Sequence, residues 1–332
     1  MASYYETFYD DWLAMGERMQ RAYDDSPIIA RDRDIPWVRT VQDAKVKLMI
    51  ANELGFPTMG SVLTKGEIPT GWHTGEHRHG EESILILEGE GFSIVDGERF
   101  DWHKHSAVQV PYRAAHQHFN TGAEPAQYLS AMCLPLEAFV HIAGVEQLSE
   151  CGATDPAALA RLPREVAQYH SNGRRVAIHV EDSTPGTGRQ LGLAAYPNRN
   201  MPSKSLVTDK NGFREPLSVA MTHIFEDPPG YKSGSHKHLE AMLYVLEGEG
   251  YSDVRGVRAK WVPGDAFHVP PSMAEHQHFN DSGQVERMVR IGFGIRSWFT
   301  SIWPEGYTVE RTYDKDGKPI LPGEIERVRE RY

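Results

Sequence analysis

The pentapeptide His-Gln-His-Phe-Asn occurs twice in this chain of 332 residues, beginning at His116 and again at His276. A His-x-His pair precedes each copy by about forty residues. These pairs are His77 with His79 and His236 with His238. The pairs are 159 residues apart and the pentapeptides 160 residues apart. Repetition of two separate motifs at one period predicts a duplicated domain, with a histidine cluster in each copy.

Between these motifs the chain reads as short strands separated by Gly, Pro and Asp turns. The apolar run that begins at Ser83 ends in Gly-Glu-Gly, and the run that begins at Leu243 ends in the same tripeptide. The segment 102–111 likewise corresponds to the segment 261–270. Five or more short, Gly-punctuated strands in each copy predict a small antiparallel barrel. The expected fold class is therefore all-β with minor helices.

We divide the chain into five segments: an N-terminal helical arm (1–50), a first barrel (51–136), an inter-barrel insert (137–213), a second barrel (214–298) and a C-terminal tail (299–332). In the arm, apolar residues at three- and four-residue steps predict an amphipathic helix over 3–24 that packs on the rest of the protein or on a partner subunit. In the insert we expect a short helix from Pro156 and a loop over 181–189, with part of the insert extending a sheet and part crossing over the barrels. The charged stretch 324–331 predicts a solvated terminal helix.

Composition narrows the range of functions. The net charge of −11 argues against a nucleic-acid partner, because phosphate binding requires a basic surface. The N-terminus shows neither the basic nor the apolar region of a signal peptide, and no apolar run approaches the roughly 20 residues that span a bilayer. Cys133 and Cys151 lack the spacing of a metal motif or a disulfide framework. We therefore expect a cytoplasmic protein without a membrane partner, and the aromatic stripe and exposed barrel edges predict a homo-oligomer.

Residues two apart on a strand face the same way, so each His-x-His pair shares one face. The same holds within each pentapeptide, for His116 with His118 and for His276 with His278. If those faces line a barrel interior, each barrel gathers its histidines around one point. Three imidazoles with open positions suit Fe(II), Mn(II), Ni(II), Cu(II) or Zn(II), and the ligand type alone leaves the choice open. A single buried His-x-His is often only structural, but the same order of elements twice favours metal binding.

The order of these elements resembles the cupin superfamily. Its first signature, Gly then His-x-His, Glu and Gly, appears here as Gly71, His77, His79, Glu82 and Gly89, and its second as Pro111, His116 and Asn120. The second half repeats these parts at Gly230, His236, His238, Gly248, Pro271, His276 and Asn280. The resemblance covers about residues 55–135 and 214–296. It implies a double-stranded β-helix, or jelly-roll, bicupin with two tandem cupin barrels.

One position departs from the cupin pattern. The metal-binding Glu of cupins commonly lies four residues beyond the second His, but Glu82 lies three beyond His79, and its counterpart in the second barrel is Ala241. Glu81 and Glu240 occupy the opposite-facing register and are expected outside the cavity. We therefore predict a three-histidine metal site in each barrel, with Glu82 as an optional ligand in the first. The predicted ligands are His77, His79 and His116 in the first barrel and His236, His238 and His276 in the second.

Three-histidine bicupins of this size look like gentisate and salicylate 1,2-dioxygenases, which open aromatic rings with O2 at an Fe(II) centre. The resemblance implies an enzyme, an Fe(II) cofactor, and a small hydroxylated aromatic acid and O2 as substrates. It also implies that His118 and His278 lie beside the substrate, positioned for proton transfer. A metal ion held by three histidines keeps three coordination positions open. These are enough for a chelating hydroxyl and carboxylate of the substrate together with O2. The substrate-gripping arginines of that family do not map onto this chain: Arg33, Arg39 and Arg113 are candidates, whereas Arg78 and Lys237 should face away from the metal.

Two other classes of function remain open. A metal-dependent lyase or isomerase of the oxalate decarboxylase type would need a carboxylate beside the metal as acid or base, for which Glu82 is the candidate. Such an enzyme would not consume O2 stoichiometrically. A non-catalytic ligand-binding or storage bicupin is disfavoured, because storage cupins generally lose the metal histidines that this chain keeps. Aromatic residues near the motifs suit a flat substrate but also ordinary core packing.

Overall fold

The computed structural model describes residues 4–142, 144–186, 203–214, 217–233, 235–302, 308–310 and 327–329. Strands dominate these residues and helices are few. The chain is all-β with minor helices, as predicted, and its strands form two jelly-roll barrels in tandem. Among the residues described, no helix is both long and apolar enough to cross a membrane.

The first half of the chain runs from a helical arm into the first barrel. The arm holds helix α1 (Tyr4–Asp24) and strand β1 (Ile29–Ala30). The strands that follow are β2 (Lys45–Ile50), β3 (Val62–Ile68), β4 (Trp72–His73), β5 (His77–Arg78), β6 (Glu82–Glu88), β7 (Glu90–Val95), β8 (Glu98–His103), β9 (Ala107–Val110), β10 (His116–Asn120) and β11 (Ala126–Met132). Helix α2 (Leu134–Phe139) ends this half, so the predicted strand runs and the two histidine motifs all fall on or beside strands.

The second half repeats this order after an insert of short elements. The insert holds β12 (Glu146–Gln147), β13 (Gly152–Ala153), α3 (Pro156–Leu159), β14 (Ala177–Ile178), β15 (Pro185–Gly186) and β16 (Ser203–Ser205). The second barrel holds β17 (Val219–Asp227), β18 (His236–Lys237), β19 (Ala241–Glu247), β20 (Gly250–Val254), β21 (Val257–Trp261), β22 (Ala266–Val269), β23 (His276–Phe279) and β24 (Glu286–Phe293), and α4 (Gly294–Ile302), β25 (Thr308–Glu310) and β26 (Arg327–Arg329) follow. The boundaries of our five segments remain a prediction.

Each barrel is made of two antiparallel sheets. In the first barrel, one sheet has the order β14-β9-β6-β11-β3-β2 and the other β12-β5-β10-β4-β13, with β7 and β8 added beside β10. In the second barrel, the orders are β1-β22-β19-β24-β17-β16-β15 and β21-β20-β23-β18-β25-β26. The histidine-bearing strands β5 and β10 are neighbours, as are β18 and β23, which brings the two histidine motifs of each barrel together.

The apolar strands are buried on both faces. Ile84 and Ile86 of β6 lie in the core of the first barrel, whereas Leu85 and Leu87 lie in a separate cluster shared with the second barrel. That shared cluster includes Met221 from β17. A strand with both faces covered reads as a continuous apolar run, which is why this stretch shows no clean alternation in the sequence.

The two barrels exchange strands. Strand β1, which precedes the first barrel, pairs with β22 of the second barrel, and β14, which precedes the second barrel, pairs with β9 of the first. Carboxylates cross the interface in the same symmetric way. Oε2 of Glu81 accepts hydrogen bonds from the backbone N–H and the hydroxyl of Ser218, and Glu240 accepts them from the N–H of Met59 and the hydroxyl of Ser61. Both glutamates therefore lie outside the histidine clusters, as their register predicted.

The repeated Gly-Glu-Gly turn has two distinct requirements for glycine. Gly89 and Gly248 have φ of 91° and 79°, a left-handed conformation that favours glycine. At the next glycine of each turn, space is the constraint: a Cβ on Gly91 would lie 2.0 Å from the carbonyl oxygen of Phe119, and one on Gly250 would lie 2.3 Å from that of Phe279. The tripeptide therefore brings β7 and β20 against the strands that carry the histidine pentapeptides.

The arm and the tail depart from the sequence expectation. Helix α1 forms as predicted, but its apolar stripe does not pack on the described barrels: Trp12 is 56% exposed and Met19 is 48% exposed. Packing against a partner subunit remains a prediction. The terminal helix expected over 324–331 is wrong for its described part, because residues 327–329 form a strand whose backbone pairs with β25. The rest of that stretch lies outside the described residues.

The insert follows its predictions where it is described. Helix α3 begins at Pro156, and the side chain of Asp155 caps it by accepting a hydrogen bond of 3.0 Å from the N–H of Ala157. Strands β12, β13 and β14 extend the sheets of the first barrel. Residues 187–189 of the expected loop lie outside the described residues, and 180–182 form a short 3-10 turn.

Candidate metal centre

Four side chains converge inside the first barrel. His77 and His116 are opposite each other on β5 and β10, with ring centroids 4.3 Å apart, and the ring of His79 lies 4.7 Å from one and 4.9 Å from the other. Glu82, at the start of β6, completes the group. One donor atom from each of the four lies within 4.8 Å of every other, and all four residues are buried. Among the described residues, this group has the donor set of a metal-binding site.

Backbone contacts fix which nitrogen His116 presents. Its Nδ1 lies 2.9 Å from the carbonyl oxygen of Ala114, so Nδ1 carries the proton and Nε2 keeps its lone pair for the site. That lone pair faces Oε2 of Glu82, 2.9 Å away. Two acceptors at this distance need either a proton or a metal ion between them. Nε2 of His79, Nε2 of His116 and Oε2 of Glu82 are all buried without a hydrogen-bond partner among the described residues.

The separations between these atoms suit a metal ion. Oε2 of Glu82 lies 2.9 Å from Nε2 of His116 and 3.4 Å from Nε2 of His79. Ligand atoms about 2.1 Å from one shared ion would be roughly 3.0 Å apart at a right angle and roughly 3.4 Å apart at a tetrahedral angle. The donor set therefore fits a divalent transition metal, with nitrogen and oxygen ligands that do not distinguish iron from manganese, nickel or zinc.

Glu82 is held in the orientation of a ligand. Its Oε1 accepts a hydrogen bond from the hydroxyl of Ser130 on β11, which leaves Oε2 directed at the two imidazoles. Burial opposes ionisation of Glu82, but the contacts with His116 and His79 outweigh it and hold the pKa of the carboxyl well below its ordinary value. Oε2 of Glu82 is thus one of the four converging donor atoms. The sequence predicted Glu82 only as an optional ligand, because of its spacing from His79.

Burial holds two histidines of this barrel in the neutral form. It lowers the pKa of His77 to about 2 and that of His118 to about 4, and the proximity of His116 adds to both effects. A neutral imidazole is the form that binds metals. The amide Nε2 of Gln42 lies 3.2 Å from Nε2 of His77, so a side chain from the arm directly contacts one of the predicted ligands.

The second barrel repeats part of this arrangement. Nδ1 of His276 lies 2.8 Å from the carbonyl oxygen of Ala274, and Nδ1 of His238 lies 2.5 Å from that of Leu239. Their Nε2 atoms lie 3.0 Å apart. Strand β18 places His236 opposite His276, and its side chain lies outside the described set. With Ala241 in the position of Glu82, this barrel contributes no carboxylate there.

His118 and His278 lie beside these clusters. Each contacts a buried serine, which in turn contacts a tryptophan. Nδ1 of His118 lies 2.7 Å from the hydroxyl of Ser93, which also accepts a hydrogen bond of 3.1 Å from Nε1 of Trp102. The second barrel repeats both contacts at 2.8 Å and 3.1 Å, with Ser252 and Trp261. The tryptophan N–H donates to the serine oxygen, which can then either donate its one hydrogen to Nδ1 of the histidine or accept a hydrogen from it. The two contacts therefore fix the orientation of each imidazole and allow either neutral tautomer.

The arginines singled out from the sequence lie elsewhere. The side chain of Arg33 is 80% exposed beside Asp34, Arg39 stacks over Trp72 with its guanidinium carbon 5.9 Å from the ring centroid, and Arg113 is exposed in a turn. Arg78 and Lys237 pair with Glu146 and Glu275 outside the clusters, as expected for the middle residue of each His-x-His. Sequence reasoning missed Ser130, Ser93 and Gln42. Only the two-residue period of β11 and β7 could have indicated that the two serines face inward.

Comparison with known proteins agrees with this geometry. The family model described as "Cupin domain" matches residues 63–132 and again 223–291. The chain therefore has two cupin domains in tandem, and it resembles bicupins such as the gentisate and salicylate 1,2-dioxygenases. Among sequence relatives, a gentisate 1,2-dioxygenase from Ralstonia is 35% identical over 85 residues, 24% of each chain. A 5-aminosalicylate 1,2-dioxygenase from Comamonas is 25% identical over 227 residues.

These relatives match only in part. The Comamonas alignment covers 61% of this chain and 58% of that enzyme, so the chain spans less than two thirds of either relative. Two solved structures share the fold. A mutant salicylate 1,2-dioxygenase from Pseudoaminobacter salicylatoxidans in complex with gentisate has a TM-score of 0.59 at 16% identity, covering 89% of this chain and 92% of that one. A mutant oxalate decarboxylase from Bacillus subtilis has a TM-score of 0.61 at 13% identity, covering 84% and 82%.

Proposed function

We propose that this protein is an Fe(II)-dependent dioxygenase that opens the ring of a small hydroxylated aromatic acid of the gentisate or salicylate type. The observation that carries the proposal is the buried convergence of His77, His79 and His116 in a chain whose sequence relatives include a gentisate and a 5-aminosalicylate 1,2-dioxygenase. An Fe(II) ion, when bound by these residues, would supply the redox chemistry that activates O2. A homo-oligomer and a cytoplasmic location remain predictions from the sequence.

The chain's own residues would exclude water and orient the reactants. The ligand residues are at most 8% exposed, so solvent has little access to the donor atoms. Burial keeps His118 neutral, and we propose the tautomer in which Ser93 donates to Nδ1 and the proton of the imidazole lies on Nε2. In that state it can donate a hydrogen bond to a substrate oxygen, but it cannot accept a proton at Nε2. We therefore refine the proton-transfer role predicted for His118 and His278 to hydrogen-bond donation.

Oxygen consumption tests the proposal. Protein loaded anaerobically with Fe(II) would be mixed with gentisate, salicylate, hydroxynaphthoate or a catechol, and O2 uptake would be recorded for the wild type and for the His116→Ala and His276→Ala variants. We expect stoichiometric uptake with at least one of these acids. The variant that loses the activity identifies the working barrel. Fully iron-loaded protein that consumes no O2 with any of them would contradict the proposal.

A lyase or isomerase of the oxalate decarboxylase type is the second candidate, and the presence of Glu82 in the donor group favours it. The carboxylate would have to exchange a proton with the substrate in such an enzyme. Here Oε1 of Glu82 is bonded to Ser130 and Oε2 faces the imidazoles, so the geometry suits a metal ligand better than a general acid. Release of CO2 from oxalate without O2 consumption by Mn-loaded protein would decide for this candidate.

A further inference from the structure

The sheet that faces the histidines carries a carboxylate in the first barrel and a guanidinium in the second. In the first barrel it carries Glu82 and its partner Ser130. Ser130 is paired across the sheet with Ile84, two residues after Glu82. In the second barrel the same register pairs Arg290 with Leu243, two residues after Ala241. A carboxylate and a hydroxyl are thus replaced by a methyl group and a guanidinium.

Arg290 lies on the interior face of β24. Its partner Leu243 and its second neighbour along the strand, Met288, both belong to the core of the second barrel, whereas Val289 and Ile291 belong to the cluster between the barrels. Arg290 also pairs across the sheet with His223 of β17. Because side chains alternate along a strand, the guanidinium shares the interior face with the core residues.

Within the described parts of the chain, no residue pairs with the charge of Arg290. It is half-buried, and its side chain makes no ion pair or hydrogen bond with any residue that the structure describes. Ala241, which replaces Glu82, contributes no carboxylate to the interior face. An arginine is costly to bury without a partner, and its planar fork of N–H groups matches a carboxylate. The arrangement is therefore suited to a negatively charged group that comes from outside the chain.

We propose that the second barrel is a binding site for a small carboxylate ligand, which Arg290 holds beside His238 and His276. Phe225 faces the same interior, opposite Met288 in the sheet, and its ring is nearly parallel to that of His223, at 14° and 5.9 Å between centroids. These rings provide an apolar wall for an aromatic or aliphatic body attached to the carboxylate. The site goes beyond the proposed function, because carboxylate binding does not require that either barrel reacts with O2.

Calorimetric titration of the zinc-loaded full chain tests the site without oxygen chemistry. The probes are benzoate, which has the ring and the carboxylate, and phenol, which lacks the carboxylate. The variants are Arg290→Ser, which copies the first barrel, and Arg290→Lys, which keeps the charge and loses the fork. The matched control is Arg258→Ser, which removes an arginine of the same barrel that is paired with Asp253 on the exposed side, with 3.0 Å between Nε and Oδ1.

We expect saturable benzoate binding that weakens roughly 10- to 100-fold in Arg290→Ser, the range for a lost charged hydrogen bond, and that is unchanged in Arg258→Ser. Arg290→Lys should give an intermediate affinity, and phenol should bind no more weakly to Arg290→Ser than to the wild type. A second variant, Ala241→Glu, should compete with benzoate by giving Arg290 an internal partner. Equal benzoate affinity in the wild type, Arg290→Ser and Ala241→Glu, or no saturable binding by the wild type, would overturn the proposal and leave the dioxygenase test unaffected.

Discussion

The hydroxyl of Ser130 donates to Oε1 of Glu82, and this one bond turns the other carboxylate oxygen toward Nε2 of His116. A residue on β11 thereby orients a donor atom on β6, across the sheet. Groups that orient metal ligands in this way typically contribute a substantial part of the affinity for the metal. The relationship has no counterpart in the second barrel, where Arg290 and Ala241 occupy the two positions.

Replacing Ser130 by alanine should weaken metal binding in the first barrel roughly 10- to 100-fold, because Glu82 loses the contact that orients it. Competition with a chelator, followed by metal analysis, measures the change. Ser83→Ala is the matched control, since Ser83 is equally buried on β6 but its hydroxyl accepts from the N–H of Met221 on the opposite face. Equal metal affinity in the two variants would argue against Glu82 as a ligand.

Gly80 should be intolerant of a side chain because of Glu137. A Cβ on Gly80 would lie 1.7 Å from Oε2 of Glu137, and Gly80 directly follows the predicted ligand His79. We expect Gly80→Ala to lower the free energy of unfolding by about 1–3 kcal/mol, as overpacking does, and to reduce metal affinity. The double variant Gly80→Ala with Glu137→Ala should recover both properties. Failure of the second substitution to restore either one would show that the contact with Glu137 is not the cause.

The stability of the protein should carry a pH-dependent penalty from Asp43. Burial raises the pKa of Asp43 to about 6, against an opposing hydrogen bond from Tyr128, whereas the unfolded carboxyl titrates near 3.8. The folded state therefore binds more protons between about pH 4 and pH 6, and stability is lost as the pH rises through that window. Asp43→Asn should raise the unfolding temperature at pH 7.5 and change it little at pH 4.

The measurement for Asp43 is thermal unfolding of the metal-free protein at both pH values, compared with Asp281→Asn at an exposed position. Asp281→Asn should leave the unfolding temperature close to that of the wild type at both pH values. An Asp43→Asn effect of the same size at pH 4 and pH 7.5 would mean that the substitution acts through packing and not through the charge of the carboxylate.

Ser93 should determine which nitrogen of His118 carries the proton. Ser93→Ala removes the donor to Nδ1, so the Nε2-protonated form should lose its preference, and Trp102 should lose its acceptor at a cost of about 1–3 kcal/mol in stability. Nitrogen NMR shifts of zinc-loaded protein report the protonated nitrogen directly. Ser93→Thr keeps the hydroxyl and should keep the wild-type pattern. An unchanged pattern in Ser93→Ala would contradict the proposed tautomer.

The fold and the histidines could be predicted from the sequence because both are local and repeated. The two-residue alternation of His77 and His79, together with a second histidine motif at a fixed distance, is enough to indicate the cluster. The role of Glu82 could not be decided, since its spacing differs by one residue from the common pattern and its orientation depends on Ser130 on another strand. Contacts of that kind join residues 48 apart in the chain and leave no periodic pattern.

Other features escape sequence reasoning for a related reason. Gln42 contacts His77 from the arm, far away in the sequence. Arg290 can be identified as the counterpart of Ser130 only when β24 is aligned with β11 through their partner strands. The strand at 327–329 resembles a helix in the sequence because charged residues form either structure on a surface, and its pairing with β25 is what determines the conformation.

The exchange of β1 and β14 has a consequence for how the chain reaches its native state. During synthesis, β1 leaves the ribosome long before β22 exists, so Ile29 and Ala30 must wait for residues near 266 before they acquire their partners. The first barrel, in turn, lacks its edge strand until residue 178 has been made. The second barrel cannot complete its sheet without the arm, and a cut between the first barrel and β14 would leave two incomplete sheets. Physical interdependence of this kind would hold the two halves together even if their binding sites came to serve different ligands.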